Sequence, residues 1–184
     1  MKPEHLPAIE AAENLELLAV YSRSKSSVDS LIAKASSASA PKIDSYYDNP
    51  AGEQGKSLDD LLARSDIAAV VVCLPILTQP EIIKKALSAG KHVLSEKPIA
   101  GDVATAEALI EWHKSQAGSS IWAVAENFRF IPSANKASVK IKEIGGDLVT
   151  FHLKMYSSIK EDNKYFNTEC ECSGYKLSTL GLAC

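Results

Sequence analysis

The chain has 184 residues, of which 46% are hydrophobic and 23% are charged, and its formal net charge is −3. This composition suits one compact domain or slightly more, and it excludes disorder, collagen and a coiled coil. No apolar run approaches the ~20 residues that span a bilayer, and residues 1–5 lack the apolar stretch of a secretory signal. We expect a cytoplasmic protein with no membrane or nucleic-acid partner, since no block of Lys and Arg is present.

Short apolar runs alternate with amphipathic segments along the chain. The apolar runs predict strands at 15–21, 43–47, 67–74, 91–95, 121–125 and 148–156. The segments between them predict helices at 28–34, 80–89, 102–116 and 132–143. A further helix is predicted where Ser57 and Asp60 have the spacing of a capping box. The unbroken run 67–74 is typical of a strand buried on both faces. Strands joined by helical crossovers predict an α/β fold with a doubly wound parallel sheet.

Ligands of doubly wound sheets bind at the carboxyl ends of the strands. The segments that follow the predicted strands therefore form the candidate site, at 22–25, 75–79, 96–98 and 126–130. A small-molecule substrate is the expected partner of such an edge.

Ser22, Arg23 and Ser24 follow the first predicted strand, where a dinucleotide-binding sheet meets the adenosine ribose. An acidic residue there would accept hydrogen bonds from a ribose 2′-hydroxyl, whereas an arginine flanked by hydroxyls suits a 2′-phosphate. Because no Asp or Glu stands in this stretch, the sequence favours NADP over NAD. The alternative is a solvated basic turn ahead of a helix.

Glu96, Lys97 and Pro98 follow the predicted strand 91–95. Pro98 fixes its own φ and favours an extended Lys97, so the lysine stays at the end of the strand. A lysine held there suits a group that orients a substrate and shuttles a proton. The alternative is a surface lysine before a proline that starts a helix.

Three motifs in register resemble the Gfo/Idh/MocA family of nicotinamide-dependent oxidoreductases. They are Ala89-Gly90-Lys91-His92-Val93-Leu94-Ser95-Glu96-Lys97-Pro98-Ile99-Ala100, Glu126-Asn127-Phe128-Arg129-Phe130 ahead of Pro132, and Glu143-Ile144-Gly145-Gly146-Asp147-Leu148-Val149. The resemblance implies a Rossmann-like, incomplete dinucleotide-binding domain over 1–130. It also implies that residues 131–169 are the start of an α/β domain for substrate binding and homo-oligomerisation. Residues 170–184 form a tail that diverges from the family pattern.

Carried over residue by residue, the resemblance implies a catalytic lysine and a set of cofactor contacts. Lys97 would face the substrate as hydride passes between nicotinamide and a sugar-like or small alcohol or carbonyl compound. The implied cofactor contacts are Ser22, Arg23, Ser24, Leu74, Pro75, Glu96, Lys97, Asn127 and Arg129. Family members often have a His in the turn after Pro75, where this sequence has Ile76 and Gln79, so no histidine contact is carried over.

The sequence departs from the family pattern at both ends. The family opens with a strand and a glycine-rich turn that holds the pyrophosphate, followed by a helix. Residues 5–7 of this sequence resemble the end of that helix. None of the nine glycines in the sequence forms a Gly-x-Gly pair. After Glu169 the resemblance stops, ahead of the family's catalytic Asp and His. We therefore expect a truncated isoform whose sheet lacks its first strand, with marginal stability or a rearranged sheet and little or no turnover. The alternative is a non-catalytic, dinucleotide-sensing or regulatory partner protein of the same superfamily.

The cysteines and histidines do not predict a metal site. Cys170 and Cys172 lack the usual spacing of zinc ligands, and no fourth ligand is well placed beside them and Cys184. The histidines are scattered, and each is interpreted as structural: His5, His92, His113 and His152. Trp112 and Trp122 are expected to pack under helices.

Overall fold

A computed structural model describes residues 4–48, 56–116, 118–147, 149–150 and 152. The helices are α1 His5–Ala11, α2 Lys25–Ile32, α3 Leu58–Leu62, α4 Gln79–Ser88, α5 Val103–Ser115 and α6 Pro132–Ile144. The strands are β1 Ala19–Ser22, β2 Asp44–Tyr47, β3 Ala69–Val72, β4 His92–Ser95 and β5 Trp122–Val124. Short 3-10 helices cover Ala40–Lys42, Ile76–Thr78 and Asn127–Phe130. Most of the predicted strand 148–156 and the whole tail 170–184, with its cysteines, lie outside the described residues.

The five strands form two parallel sheets. β1 pairs with β2, and β3, β4 and β5 form a three-stranded sheet in that order. Each pair of adjacent strands is parallel and is connected through a helix, which confirms the predicted α/β class. Within the described ranges, no strand pairs with the second edge of β1 or of β3. The break between the two sheets falls between β1 and β3.

One hydrophobic cluster joins the two sheets. Its buried members are Tyr46, Leu61, Leu62, Ile67, Val72, Ile83, Ala86, Leu87, Val93 and Leu109. Ala19 and Tyr21 of β1 pack against this cluster, as does Val70 of β3. Trp112 and Trp122 also pack against it. Side-chain packing therefore connects β1 with β3, although their backbones are not paired.

The apolar run 67–74 is less buried than its composition predicts. Within β3, Val72 is buried, Val70 and Val71 are half-buried, and Ala69 is exposed. The expectation of burial on both faces is therefore wrong for most of β3. The physical reason is that a run of apolar residues does not by itself show whether both faces of its strand are covered by packed elements.

Helix ends lie where the sequence places capping residues. Ser57 Oγ accepts a hydrogen bond from Asp60 N at 3.2 Å, and the Asp60 carboxylate accepts one from Ser57 N at 2.9 Å, which confirms the capping box. Gly90 follows the end of α4 with a φ of 77°, a conformation that favours glycine. Asp102 caps α5 by accepting from Thr105 N at 2.8 Å.

The first and last helices differ in packing. α1 begins at His5 and buries Leu6, whereas α6 has no buried side chain. The longest helices, α5 and α6, have 13 residues each. In the described part of the chain, none has the length and apolar character that a membrane crossing requires.

Candidate functional site at the carboxyl edge of the sheet

The carboxyl ends of β3, β4 and β5 lie side by side. Val72, Ser95 and Val124 are in register across the three strands. Glu96 N donates a hydrogen bond to Val72 O at 2.9 Å. Ala125 N donates one to Ser95 O at 2.8 Å. Because adjacent strands are ~4.8 Å apart, the segments that leave these strands are close neighbours.

The Glu96-Lys97 turn combines a buried carboxylate with an exposed ammonium group. Glu96 is 9% exposed. Its Oε1 accepts a hydrogen bond from His5 Nε2 at 2.8 Å, and its Oε2 accepts one from the backbone N–H of Lys97 at 3.2 Å. The Lys97–Pro98 peptide bond is cis. Among the described residues, the Lys97 ammonium makes no hydrogen bond or ion pair, so this cation is available to a ligand.

Two side chains outside the predicted site residues contact this turn. His5 belongs to α1, 91 residues before Glu96. Gln79, the first residue of α4, is 1% exposed, and its Nε2 donates to Pro98 O at 2.8 Å. In the sequence, His5 is interpreted as structural and Gln79 is a departure from the family pattern. Neither contact follows a local spacing rule, because each joins segments that are distant along the chain.

Leu74 and Pro75 lie on the neighbouring strand end, after β3. Leu74 is half-buried and packs against the large hydrophobic cluster. Pro75 is exposed, and its carbonyl accepts from Thr78 N at 3.0 Å and from Thr78 Oγ1 at 2.9 Å. These two hydrogen bonds hold the turn between β3 and α4.

Ser22, Arg23 and Ser24 lie at the carboxyl end of β1, in the two-stranded sheet. Ser24 caps α2: its Oγ accepts from Ser27 N at 3.4 Å. Arg23 is exposed, and its guanidinium makes no hydrogen bond or ion pair within the described residues. The exposed Arg23 guanidinium can therefore bind an anionic ligand, whereas the Ser24 hydroxyl already caps α2.

Tyr21 precedes this turn and faces a carboxylate. Its hydroxyl donates to Asp48 Oδ1 at 2.6 Å, which links the end of β1 to the residue after β2. Burial and the hydrogen bond to Asp48 raise the pKa of Tyr21 to about 12. The phenol therefore keeps its proton at neutral pH and acts as a fixed donor.

Asn127 and Arg129 lie in the 3-10 helix that follows β5. Both side chains are exposed. Glu126 begins this helix, and its carboxylate accepts from Phe128 N at 3.4 Å. The structure therefore brings Asn127 to the same edge as Lys97 through the β4–β5 pairing.

The histidines of the described chain have separate surroundings. His92 Nδ1 accepts from Ile121 N at 2.9 Å, and the ring of His113 meets Trp122 edge-on at 5.5 Å. Trp122 Nε1 in turn donates to the fully buried Ser95 Oγ at 3.0 Å. In these ranges, no group of three or more His, Cys, Asp or Glu residues is arranged to hold a metal ion.

A family model described as "Oxidoreductase family, NAD-binding Rossmann fold" matches residues 1–121. The chain belongs to the Gfo/Idh/MocA family. It is 55% identical over 168 residues to dehydrogenase FPY6 of Fusarium mangiferae, covering 91% of this chain and 47% of that protein. It is 30% identical over 145 residues to a 4-carboxy-2-hydroxymuconate-6-semialdehyde dehydrogenase of Sphingobium, covering 79% and 40%. The chain thus spans about half or less of the length of these relatives.

Solved structures of oxidoreductases are similar in fold to this chain. An oxidoreductase from Thermotoga maritima matches with a TM-score of 0.65 and 27% identity, covering 89% of this chain and 46% of that one. The 3-ketoreductase KijD10 of Actinomadura kijaniata, solved with NADP and TDP-benzene, matches with a TM-score of 0.58 and 29% identity, covering 75% and 37%.

The described residues fit the two ends of the dinucleotide expected in a Gfo/Idh/MocA protein. Among the described residues the Arg23 guanidinium has no partner, which suits a phosphate. The Lys97 ammonium likewise has none there, and its place beside a buried carboxylate suits the polar surroundings of a ribose and its substrate. Both lie after parallel strands, at the ends where such folds bind nucleotides. No Gly-x-Gly for the pyrophosphate occurs in the sequence.

Proposed function

We propose that the chain forms the NADP-binding part of an oxidoreductase that acts on a sugar-like or other small alcohol or carbonyl substrate. The observation that carries the proposal is the exposed Lys97 ammonium, which has no partner in the described part of the chain, beside the buried Glu96 at the carboxyl end of a parallel strand. The bound cofactor would supply hydride exchange at its nicotinamide ring. The chain would contribute Lys97 Nζ, which orients the substrate oxygen and holds or releases its proton.

The remaining site residues would hold the dinucleotide along the edge of the sheets. Arg23, with Ser22 and Ser24 beside it, would bind the 2′-phosphate, so NADP is preferred over NAD. The other proposed contacts are Leu74, Pro75, Glu96, Asn127 and Arg129. In support, the similar 3-ketoreductase KijD10 is described in complex with NADP.

We further propose that this 184-residue polypeptide, by itself, has little or no turnover. In support, this sequence contains no Gly-x-Gly turn that could hold the pyrophosphate. Cofactor binding without turnover would favour a dinucleotide-sensing or regulatory partner.

Titration with NADPH and NADH, followed through tryptophan fluorescence, tests this function. Trp112 and Trp122 are half-buried in the domain, so a bound reduced nicotinamide should quench them. We expect saturable quenching by NADPH that is weakened in Lys97→Ala and unchanged in Lys114→Ala, an exposed lysine near the end of α5. Absence of saturable quenching at millimolar NADPH would remove cofactor binding, and NADPH-dependent turnover by the chain would refute its inactivity.

A further inference from the structure

We propose that His5 and Gln79 are positioning residues that hold the Glu96-Lys97-Pro98 turn from two sides and thereby fix the location of the Lys97 ammonium. The significance of this arrangement for catalysis rests on the proposed function. The contacts themselves are independent of any ligand, so the two ideas can fail separately.

The first contact comes from α1. The side chains of His5 and Glu96 are only 16% and 11% exposed, and His5 Nε2 lies 2.8 Å from Glu96 Oε1. With Glu96 ionised, the ring nitrogen is the donor. The second oxygen of the same carboxylate accepts the peptide N–H of Lys97 at 3.2 Å. The Glu96 carboxylate therefore connects the imidazole to the backbone on the N-terminal side of Lys97.

The second contact comes from α4. Gln79 is 1% exposed, and its amide nitrogen donates to the carbonyl of Pro98 at 2.8 Å, on the C-terminal side of Lys97. The other end of the amide, Oε1, is buried and has no hydrogen-bond partner among the described residues. A half-satisfied buried amide is unfavourable for stability alone. Its presence is explained if the hydrogen bond to Pro98 serves to hold the turn.

Together the two contacts restrain the backbone before and after Lys97. The lysine side chain is then free to move only about its own torsions, from a fixed starting point at the end of β4. Proton transfer needs donor and acceptor within hydrogen-bond reach, and small displacements of a reacting group reduce rates strongly. We infer that α1 and α4 set the position of the proposed proton-transfer group without touching the substrate.

Hydrogen exchange at the Lys97 amide, measured by NMR, tests the positioning directly. This amide donates to Glu96 Oε2, whereas the Val93 amide donates to Ile121 O within the same sheet and serves as an internal reference. In His5→Phe and Gln79→Met, which remove the donors, we expect exchange at Lys97 to accelerate about tenfold while exchange at Val93 stays constant. His5→Gln and Gln79→His, which keep an N–H donor, should restore slow exchange.

Exposed residues of the same types supply the matched controls. His152→Phe and Gln116→Met should leave exchange at Lys97 unchanged. Equal acceleration at Lys97 and Val93, or no acceleration at either, would show that His5 and Gln79 act on the whole domain or not at all, and would overturn the proposal. If His5→Phe or Gln79→Met does not fold, the donor-keeping variant at that position and both variants at the other position still test the proposal.

NADPH affinity, measured on the same variants, separates this proposal from the proposed function. We expect His5→Phe and Gln79→Met to bind NADPH about tenfold more weakly, and the donor-keeping variants to recover. Failure of the wild-type chain to bind NADPH would overturn the proposed function while the exchange data still judge the positioning. Selective acceleration at Lys97 with unchanged NADPH affinity would overturn the assigned role of the two residues at the cofactor.

Discussion

Two charged residues flank β4, and their surroundings assign them different roles. Lys91 precedes the strand, is 8% exposed, and donates from Nζ to the carbonyls of Arg64 and Ile67. Glu96 follows the strand and turns its carboxylate towards His5 and the Lys97 peptide. A buried charge is tolerated when its hydrogen bonds are satisfied. Lys91 thus connects the amino end of β4 to the carbonyls of Arg64 and Ile67, while Glu96 connects its carboxyl end to His5 and the Lys97 amide.

Replacing Lys91 is expected to destabilise the fold without affecting the site. Lys91→Met keeps the volume of the stem but leaves the Arg64 and Ile67 carbonyls without this donor, which should lower the free energy of unfolding by about 1–3 kcal/mol. Urea unfolding measures the effect, with the exposed Lys114→Met as control. A loss of NADPH affinity in folded Lys91→Met would contradict the separation of roles.

Replacing Arg23 is expected to change the cofactor preference. An arginine–phosphate hydrogen bond contributes about 1.5–3 kcal/mol, so Arg23→Ala should weaken NADPH binding by roughly 10–100-fold. NADH has no 2′-phosphate, and its affinity should stay the same. Parallel titrations with both nucleotides measure the change, and an equal loss for NADPH and NADH would count against a 2′-phosphate site at Arg23.

At this scale, the positions of Lys97 and Arg23 after strands could be predicted from the sequence, but the contacts that hold the Glu96-Lys97-Pro98 turn could not. Lys97 and Arg23 follow strands, and a strand end can be read from an apolar run. The contacts of His5 and Gln79 depend on how α1 and α4 pack across β4. Such contacts have no sequence period, so a single chain gave no reason to pair these residues with the turn.

Helices were easier to predict than strands at the scale of elements. Capping residues mark helix ends chemically, and the predicted helix 102–116 agrees with α5 because Asp102 caps its start. The predicted strand 15–21 overlaps β1 only at 19–21, since an apolar run does not show where backbone pairing begins. Pairing with Asp44–Tyr47 sets the limits of β1, and that partner lies more than twenty residues away.

The cap of α5 should make a pH-dependent contribution to stability. The backbone N–H and hydroxyl of Thr105 hold the pKa of Asp102 below its ordinary value of 3.8. A lowered carboxyl pKa stabilises the fold above pH 3.8, and this contribution is lost as the pH falls through the folded value. Asp102→Ala should therefore have a lower melting temperature than wild type at neutral pH, and the difference between the two melting temperatures should narrow as the pH falls below 3.8.

Thermal melts of both proteins between neutral and acidic pH measure this effect. Other carboxylates with lowered pKa values, such as Asp66, are present in both proteins and cancel in the difference. If the difference in melting temperature between wild type and Asp102→Ala widens on acidification, the Asp102 charge does not stabilise the fold through the cap.

At the scale of the whole molecule, the fold class follows from the order of elements along the chain, whereas a sheet without its first strand was expected only from the resemblance to the family. The order of apolar runs and helices predicts parallel pairing, and the structure confirms it within each sheet. The way in which β1 and β3 remain associated was not predictable. It depends on side chains from α3, β2 and β3 meeting in one cluster, which only the three-dimensional packing reveals.

The break leads to a prediction about stability. Within the described residues, the second edges of β1 and β3 have no partner strand, and α6 buries no side chain. Domains usually have about 5–15 kcal/mol of stability, and buried backbone groups that lack partners cost about 1–3 kcal/mol each. We therefore expect the 184-residue chain to unfold in urea with a free energy below about 5 kcal/mol.

Cofactor binding should partly compensate for this low stability. A ligand that binds only the folded state, at roughly a hundred times its Kd, adds about 2.7 kcal/mol. NADPH should therefore raise the urea midpoint of the wild-type chain, and it should do so less in Arg23→Ala, whose affinity is expected to be lower. Cooperative unfolding well above 5 kcal/mol without NADPH would show that side-chain packing across the break replaces the missing strand pairing.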